Sequence, residues 1–401
     1  MKIVLVTERY WPEVGAAPSR LANMAEGLKN LGNDVDVLTS LPNYPKGRIF
    51  DGYRGRICKE ESRNGVNLIR YWIYATVSKS PIARILNMFS FAIMIWLFAF
   101  RRKLIRSYDI VIIQTPTLVA AKSAVRLFKR GYGKKVILNV SDIWPSTAVD
   151  MGALKEGSRS YRYLAGCEKY LYKHSDAILG QSNEILQHIA QFKDCPSRMF
   201  LYRNLQVYPM DKEYKKKGNP VKVVFSGMLG VAQDVAGIVR NVPFKELGME
   251  FHILGGGKQL EEIQAYISEH PDCNVYAHGF VPKEEIASRM EAFDASIVPL
   301  ATRIRGAVPS KIYDILPQGI PILFCGGGEG ASFISSHDTG YISNPGDYAG
   351  LIDNLKKLRD LSEVEYEKMS ANCIRTSKNE LNFDKQMHEC NEFISSVILN
   401  K

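Results

Sequence analysis

The sequence predicts an α/β fold made of two domains, each with a parallel β-sheet covered by helices on both faces. Short apolar strands alternate with helical segments along most of the chain, which is typical of such sheets. A polar, basic stretch, YPMDKEYKKKGNP (208–220), interrupts the alternation, which then restarts. The 401 residues also exceed what one ordinary hydrophobic core accommodates.

The two arrays of strands give the expected domain boundaries. The first array is predicted at 2–7, 34–40, 67–72, 109–114, 135–140 and 177–182, with a helix from about Pro18 to Leu31 after the first strand. The second array is predicted at 221–227, 251–257, 274–280, 295–300 and 321–326. We therefore expect an N-terminal domain at 1–207, a linker at 208–220, a second domain at 221–380 and a C-terminal helix at 381–401 that returns toward the N-terminal domain.

Composition narrows the class of partner. The 52 Lys and Arg against 42 Asp and Glu give a net charge of +10, which favours phosphorylated substrates or anionic lipid. No nucleic-acid-binding motif is present, so we expect no nucleic acid partner. Seven Cys without Cys-x-x-Cys and seven His without His-Glu-x-x-His predict no metal site and a reducing compartment. The N-terminus lacks the pattern of a signal peptide, so we expect a cytoplasmic protein.

The segment AVPSKIYDILPQGIP (307–321) places three polar groups at the start of a predicted helix. Ser310 is expected to cap the helix, and Lys311 would add a full positive charge where an anion can bind. Asp314, one turn further on, could accept hydrogen bonds from a vicinal diol. Phosphates beside a diol describe a nucleotide. The alternative is that Ser310 only caps, Lys311 is solvated and Asp314 interacts with the helix dipole.

Glycine-rich loops follow three strands of the second array. FSGMLGVAQD places Gly227 and Gly230 after the first strand, LGGGK (254–258) follows the second and HGFVP (278–282) follows the third. Each loop alone is more often a tight turn than a binding site. Because ligands of open α/β sheets bind at the carboxyl ends of the strands, their convergence with the Pro-Ser-Lys helix predicts a nucleotide site.

Two loops of the first array likewise follow directly after predicted strands. Gly15 and Ala16 lie between the first strand and its helix, where small residues allow a ligand to approach the backbone. Asp142 follows the strand at 135–140 and has Trp144 beside it. A carboxylate next to an aromatic ring suits a sugar, although Asp142 could also only cap a turn.

These loops, in this order, resemble the retaining GT4 glycosyltransferases of the GT-B fold, in which two Rossmann-like domains face each other across a cleft. The likeness is greatest to bacterial enzymes of capsule, O-antigen and exopolysaccharide assembly, including the colanic-acid type. It rests on Tyr-x-Pro-Glu (10–13), Leu-Pro-Asn-Tyr-Pro (41–45), Asp-Ile-Trp-Pro (142–145), Ser-Gly-x-x-Gly-x-x-Gln (226–233) and Pro-Ser-Lys (309–311). Several motifs in a fixed order make the resemblance specific.

The resemblance implies roles for individual residues. Asp314 matches the second acid of the family's Glu-x7-Glu motif, which holds the nucleotide ribose, whereas the first acid would fall on Gly306. The remaining implied donor contacts are Arg303 and Arg305 for the sugar, Lys311 and Arg203 for the diphosphate, Gly279 and Phe280 for the base, and Gly15, Ala16, Ser226, Gly227, Gly230, Gln233 and Ser310 in the loops. The family's first-domain histidine would fall on Ser141, and Asp142 is expected to contact the sugar or the acceptor.

The resemblance also implies a mechanism. Retaining members are thought to react on one face of the sugar, with the β-phosphate oxygen taking the acceptor's proton, so no protein nucleophile is expected. No Asp-x-Asp follows a strand, so backbone amides near Gly227 and Gly230 together with Lys311 would neutralise the leaving diphosphate without a metal or cofactor. The expected donor is a UDP-sugar carrying a hexosyl or N-acetylaminosugar group.

Two other functions remain open. A dinucleotide-dependent oxidoreductase could share the Rossmann-like pattern, but no strand is followed by Gly-x-Gly-x-x-Gly with an acid about 20 residues later. A non-catalytic nucleotide-sugar-binding relative is conceivable because the first acid is missing.

The segment 81–109 predicts contact with a membrane. From Met88 to Phe100 only Ser90 is polar, and Arg101, Arg102 and Lys103 follow directly. A spanning helix would split the first sheet, so we expect either a buried helix or one whose outer face, with Trp96, enters an anionic lipid surface. We favour the second, with the protein on the inner face of the plasma membrane and a polyprenyl-diphosphate-linked saccharide as acceptor, which is common in the family.

Overall fold

A computed structural model describes residues 1–78, 80–208 and 212–399, so part of the predicted linker, 209–211, lies outside the described residues. The chain forms two compact units. The first contains Met1–Asn204, Arg305–Ala307 and the chain from Phe383 onward, and the second contains Leu205–Ile304 and Val308–Asn382. The last helix therefore belongs with the N-terminal residues, and the second unit begins before the predicted linker.

The first unit is built on an eight-stranded sheet. Its order is β3-β4-β2-β1-β5-β6-β7-β8, and every neighbouring pair is parallel except β3 with β4. The central strands are apolar on both faces and fully buried, because helices cover both sides of the sheet. The strands are β1 (Lys2–Val6), β2 (Asp34–Ser40), β3 (Cys58–Arg63), β4 (Val66–Tyr71), β5 (Ile110–Gln114), β6 (Lys135–Val140), β7 (Ala177–Gly180) and β8 (Met199–Leu201).

The helices of this unit connect the parallel strands. The helix after β1 begins at Ala16, with Gly15 before it at a φ of 152°, a backbone angle that glycine adopts without strain. The helices are α1 (Ala16–Asn30), α2 (Pro81–Leu97), α3 (Arg102–Ser107), α4 (Leu118–Val125), α5 (Ser146–Asp150), α6 (Arg159–His174), α7 (Asn183–Ala190) and, at the end of the chain, α15 (Phe383–Leu399). A 3₁₀ turn, Phe98–Phe100, continues α2.

The second unit has a six-stranded sheet in the order β11-β10-β9-β12-β13-β14, parallel throughout. Its strands are β9 (Val221–Ser226), β10 (Met249–Leu254), β11 (Val275–Gly279), β12 (Ala295–Pro299), β13 (Ile322–Cys325) and β14 (Gly340–Ser343). Its helices are α8 (Val235–Asn241), α9 (Leu260–Glu269), α10 (Lys283–Met290), α11 (Ser310–Ile315), α12 (Gly328–Ser336), α13 (Tyr348–Asp360) and α14 (Glu363–Glu380). This is the strand order of a Rossmann-like domain.

Eleven predicted strands match observed ones, and the sequence analysis missed β3, β8 and β14. β3 reads CKEESR, a polar edge strand without an apolar run, and β8 and β14 have three and four residues. The segment predicted as a linker is also tied to the second unit. The amide of Lys215 donates to Ser370 Oγ at 2.8 Å, and the amide of Gly218 donates to Asp294 Oδ1 at 2.8 Å.

Among the described residues one segment, Ile82–Phe100, is long and apolar enough to cross a membrane, with a mean hydropathy of 1.9. The strands that flank it, β4 and β5, lie in one sheet, separated only by β2 and β1. A helix that crossed a bilayer here would place β4 and β5 on opposite sides of it, which a shared sheet does not allow. The helix instead packs on α4 through Phe91, Ile95 and neighbouring residues.

Candidate functional site

The strand order of each sheet reverses at one place, between β9 and β12 in the second unit and between β1 and β5 in the first. Crossover connections leave a sheet in opposite directions at such a point, so the carboxyl ends of its strands border a crevice that suits a ligand. The predicted site residues lie near these two edges.

In the second unit, the loops after β9 and β10 pack backbone against backbone. A Cβ at Gly255 would overlap the carbonyl oxygen of Gly227, and a Cβ at Gly257 would overlap the backbone of Leu229. Gly227 and Gly257 also have φ angles of 142° and 149°. Only glycine fits these positions, because any side chain would force the two loops apart.

Hydrogen bonds hold these loops together and correct one prediction. The amide of Gly227 donates to the carbonyl of Leu254 at 2.9 Å, and the amide of Gly255 donates to the carbonyl of Gly279 at 2.8 Å. The Gly227 amide is therefore engaged by the protein and is not the diphosphate donor that the sequence suggested. Gly227 contributes space instead, and that space is occupied by Lys311.

Lys311 points its side chain across Gly227. A Cβ at Gly227 would overlap the Cε and Nζ atoms of Lys311, and Nζ lies 4.9 Å from the centroid of the Phe225 ring. Burial lowers the pKa of Lys311, and the negative charge of Asp314 partly offsets this. In the described part of the chain, no carboxylate oxygen lies within 4 Å of this ammonium. An anionic ligand at this edge would stabilise the charged form.

Of the two other polar groups of the Pro-Ser-Lys helix, Ser310 differs from expectation and Asp314 has a partner within the protein. The residue at the N-cap of α11 is Pro309, and Ser310 is the first helical residue, without a capping hydrogen bond from its side chain. The hydroxyl of Tyr208 hydrogen-bonds Asp314. Burial and this carboxylate both raise the pKa of Tyr208, so Tyr208 stays a neutral donor. Sequence reasoning had no signal for Tyr208, which precedes Asp314 by about a hundred residues.

The remaining predicted contacts of this unit lie on neighbouring loops. Ser226 ends β9, and the Oε1 atom of Gln233 would be 3.0 Å from a Cβ at Gly230. Gly279 ends β11 with a φ of 71°, and Phe280 after it is 80% exposed. The side chain of Arg303 passes beside Gly327, after β13. The structure thus brings Ser226, Gly227, Gly230, Gln233, Gly279, Phe280, Arg303, Ser310, Lys311 and Asp314 to loops of one sheet edge.

In the first unit, the corresponding edge contains a buried arginine. Arg20, in the first turns of α1, is 3% exposed and donates to Gln181 Oε1 and Ser141 Oγ. Gln114 also donates to Ser141 Oγ, at 2.6 Å. The segments after β6 and β7 therefore meet on one guanidinium, and the end of β5 joins them through Ser141. Gly15 and Ala16 lie just before Arg20, at the start of the same helix.

Asp142 lies next to this network. Burial raises the pKa of Asp142, and the positive charge of Arg20 partly offsets the rise. Burial likewise lowers the pKa of Arg20. The sequence analysis missed Arg20. A signal was present, because Arg20 is four residues before Met24 and so falls on the buried face of α1.

Besides Gly15 and Ala16, two predicted donor contacts, Arg203 and Arg305, lie in the first unit. The backbone of Arg203 is fixed by Gln386 of α15, whose Oε1 accepts the Arg203 amide at 2.9 Å. Arg305 is exposed and pairs with Asp150 at 3.4 Å. Gly306 explains the missing first acid, since it has a φ of 76° and a Cβ there would be 2.9 Å from Ile143 and Ile185.

The outer face of α2, as we call it, is exposed and apolar. Its residues follow a helical spacing along the segment. Among them, Trp96 is 46% exposed and Phe100 is 84% exposed. Arg102 and Lys103 beyond it are exposed, whereas Arg101 pairs with Glu60. Of the three basic residues predicted to contact lipid, Arg101 therefore already has its charge paired with Glu60. The members of this outer face are Ile82, Ile85, Leu86, Ile93, Trp96, Leu97 and Phe100.

Within the described residues, no group of three or more His, Cys, Asp or Glu side chains is placed to hold a metal ion.

Comparison with known proteins gives two domain matches. Residues 15–202 match the Glycosyl transferase 4-like domain, and residues 221–360 match the Glycosyl transferases group 1 domain. A curated relative, the probable glycosyltransferase WbjE of Pseudomonas aeruginosa, is 27% identical over 257 residues. The match covers 59% of this chain and 64% of the length of WbjE.

Solved structures share the whole fold at low identity. A sucrose-phosphate synthase from Thermosynechococcus elongatus has a TM-score of 0.74 at 12% identity and covers 100% of both chains. Anabaena HepE in complex with UDP has a TM-score of 0.70 at 11% identity and covers 99% of this chain and 100% of its own. An E. coli trehalose-6-phosphate structure with bound UDP-2-fluoro glucose has a TM-score of 0.70 at 12% identity, with full coverage of both chains.

Proposed function

We propose that this chain, which is built from the two domains of a GT4-type glycosyltransferase with the GT-B fold, is a retaining enzyme of surface polysaccharide assembly. It transfers a hexosyl or N-acetylaminosugar group from a UDP-sugar to a polyprenyl-diphosphate-linked saccharide. It works on the inner face of the plasma membrane and needs no metal. The UDP and UDP-2-fluoro glucose bound to two structural neighbours support a uridine donor.

One observation carries the donor half of the proposal. The ammonium of Lys311 lies over Gly227, half-buried, at the edge where the strand order reverses. Burying a cation away from a carboxylate is costly, so a ligand that supplies negative charge would recover that cost. A nucleoside diphosphate supplies two phosphates there. As the sugar–phosphate bond breaks, Lys311 would neutralise the charge that develops on the β-phosphate.

Neighbouring residues bind the remaining parts of the donor. The Asp314 carboxylate accepts from the ribose hydroxyls, with Tyr208 fixing its orientation through their hydrogen bond. The exposed ring of Phe280 lies on the loop after β11 and offers a face for the uracil. Asp142, in the first unit, contacts the transferred sugar or the acceptor. The acceptor hydroxyl attacks from the side of the leaving group, and the leaving phosphate takes its proton.

The donor assignment is tested by calorimetric titration of the full chain with UDP and with a panel of UDP- and GDP-sugars. We expect UDP to bind and Lys311→Ala to lower its affinity by about 10- to 100-fold, the range for a charged hydrogen bond. Lys356→Ala is the matched control, because Lys356 is an exposed residue of α13. Equal UDP affinity in wild type and Lys311→Ala would overturn the phosphate role.

The outer face of α2 supports the membrane half of the proposal. Among the described residues, its apolar side chains are exposed and lie outside the core cluster of the first unit, while Arg102 and Lys103 provide charge that suits anionic headgroups. Flotation with liposomes that contain phosphatidylglycerol tests this. We expect the wild type to float at low salt and Arg102→Glu/Lys103→Glu to remain in the soluble fraction. A wild type that stays at the bottom would limit α2 to a structural role.

A second candidate is a non-catalytic nucleotide-sugar-binding relative. Gly306 favours it, because the position of the family's first acid has no room for a side chain. Incubation with UDP-sugars and a lipid-linked acceptor separates the two, since only the enzyme forms a glycosylated lipid. Binding without any product would favour this second candidate.

A further inference from the structure

A pocket of about 320 Å³ opens at the carboxyl ends of β2 and β4, and none of the site residues assigned above lines it. Leu41, directly after β2, and Ile49 line it together with Trp72, directly after β4. Arg54 and Arg56 line its other side. The lining of the pocket therefore combines apolar residues with two arginines.

The loop that forms this pocket is held in place by the protein. Glu13 Oε1 accepts the amides of Asn43 and Tyr44 at 2.7 and 2.9 Å, so the Tyr-x-Pro-Glu segment fixes the start of the loop. At its end, the amide of Trp72 donates to the carbonyl of Ile57 at 2.8 Å. Hydrogen bonds within the protein thus fix both ends of the loop that forms the pocket.

The charge of the loop is strongly positive. Residues 41–57 contain Lys46, Arg48, Arg54 and Arg56, and their only acid is Asp51. Asp51 pairs with Arg54 at 3.1 Å, but this carboxylate is 87% exposed and holds the arginine weakly. Arg56 is exposed at the pocket. Arg54 donates through Nε to the Ile49 carbonyl at 3.3 Å, which leaves its other N–H groups as donors. Guanidinium groups suit phosphate oxygens because their planar N–H donors can bind two oxygens at once.

The pocket is also close to α2. The amide of Tyr74 donates to Ser90 Oγ at 2.9 Å, and Asn87 of the same helix donates to the Tyr74 carbonyl at 2.8 Å. Tyr74 follows Trp72 by two residues, a span of about 7 Å at most. A molecule held at Trp72 therefore lies within reach of the helix that carries the outer apolar face.

The combination identifies a class of ligand. A free phosphate would not require the exposed Ile57, which is 66% accessible, or the half-buried Trp72. A purely apolar ligand would not require two arginines. An amphiphile with phosphates next to a hydrocarbon chain uses both, and its chain can continue along an apolar surface into lipid.

We infer that this pocket binds the diphosphate and first isoprene units of an isoprenoid-linked acceptor. Arg54 and Arg56 neutralise the phosphates, Trp72 and Ile57 contact the hydrocarbon, and the rest of the chain passes toward the outer face of α2. The inference rests on the proposed function, since it names where the lipid of that function's acceptor is held.

Farnesyl diphosphate is a soluble probe of this site. We would titrate it calorimetrically into the full chain saturated with UDP, which keeps the Lys311 site occupied. We expect it to bind at least tenfold more tightly than inorganic diphosphate or farnesol. Arg54→Ala/Arg56→Ala should lower its affinity at least tenfold, and Trp72→Ala should weaken farnesyl diphosphate while leaving inorganic diphosphate unchanged.

The matched control is Arg159→Ala/Arg162→Ala, which removes two exposed arginines from the start of α6. Its affinity should equal that of the wild type, and melting temperatures should show that each variant folds. Unchanged binding by Arg54→Ala/Arg56→Ala overturns the site. Equal binding of inorganic diphosphate would indicate a free-phosphate site, and equal binding of farnesol a purely apolar groove, and each also overturns it.

The test separates this inference from the proposed function. If the chain binds UDP through Lys311 but does not bind farnesyl diphosphate, the role inferred for the pocket is wrong and the donor assignment stands. A chain that binds farnesyl diphosphate but no nucleotide loses the proposed transferase and keeps an isoprenoid diphosphate site.

Discussion

The strand order reverses once in each sheet, yet the carboxyl edges of the two sheets are held together by different kinds of contact. In the second unit the edge is made of backbone, with Gly227, Gly255 and Gly257 allowing two loops to touch. In the first unit it is made of side chains, with Arg20, Ser141 and Gln181 joined by hydrogen bonds. A backbone edge can be read from the sequence, since only glycine fits it. An edge held by side-chain hydrogen bonds cannot be recognised in this way, because Arg, Ser and Gln occur throughout the sequence.

The difference also extends to the electrostatics. Among the described residues, each edge contains a cation without a carboxylate partner, Lys311 in one and Arg20 in the other. Lys311 is half-buried over Gly227, whereas Arg20 is buried, donates to the neutral oxygens of Gln181 and Ser141 and has Asp142 nearby. The contrast agrees with the proposed ligand role of Lys311 and with a structural role of Arg20 in joining strand ends. The predictions below test this contrast.

The largest effect is expected from Gly255→Ala. The new Cβ would overlap the carbonyl oxygen of Gly227, and because both partners are backbone, neither can turn aside. We expect a loss of about 3 kcal/mol of unfolding free energy, as for an overpacked core, measured by urea denaturation.

Gly279→Ala is the control for this change. Gly279 has a φ of 71° but no atom within 4 Å of a Cβ, so only conformational strain of about 1 kcal/mol should appear. If the two variants were equally stable, the close approach of the loops would not be a feature of the folded protein.

A smaller effect is expected from Arg20→Ala in the first unit. The change leaves Ser141 and Gln181 without their shared donor, at a cost of about 2 kcal/mol. It also removes the charge that offsets the raised pKa of Asp142. Ionising Asp142 then becomes more costly in the folded state.

The sign of the pH dependence follows. Asp142 has a folded pKa above its unfolded value, so its penalty is absent below the unfolded pKa and grows as pH rises through the folded one. The stability deficit of Arg20→Ala should therefore be larger at pH 8 than at pH 3.5. A pH-independent deficit would mean that Arg20 and Asp142 do not interact.

Much of the fold could be predicted from the sequence, because the strands with continuous apolar runs are the buried ones. DVDVLTS and KVILNV were assigned with their observed bounds, 34–40 and 135–140. β3 could not be predicted, since CKEESR has no apolar run and pairs only as an edge. Its position depends on antiparallel pairing with β4, a tertiary interaction that local pattern does not encode.

The candidate site was less predictable. The glycines and Lys311 gave a local signal, but the pairing of Gly227's amide with Leu254 depends on the neighbouring strand. The bond between Tyr208 and Asp314 joins segments about a hundred residues apart. The partner of Arg305 is Asp150, which also depends on the tertiary fold. Residue types at strand ends can thus be predicted, whereas their partners cannot.

A third prediction concerns Lys311 and the unliganded protein. Replacing a buried, unpaired charge by an apolar side chain often stabilises a fold, so Lys311→Met should gain about 1 kcal/mol at pH 7 while losing UDP binding. Because burial lowers the folded pKa, the gain should shrink as pH rises toward the unfolded pKa of about 10.4. Lys356→Met is the surface control. A loss of stability in Lys311→Met would contradict the ligand-facing role.

The smallest effect on stability is expected on the outer face of α2, a feature for which the second unit has no counterpart among its described helices. Ile93 is 60% exposed and Trp96 is 46% exposed, so Ile93→Ser/Trp96→Ser should change the unfolding free energy by less than about 0.5 kcal/mol for each residue. Ile95→Ser, on the buried face of the same helix, should instead cost about 3 kcal/mol. We expect the opposite order in flotation with phosphatidylglycerol liposomes, because the double variant removes apolar area from the proposed lipid contact while leaving the core intact. If the double variant floated like the wild type, or unfolded like Ile95→Ser, these side chains would belong to the packing of the first unit and its membrane contact would have to lie elsewhere.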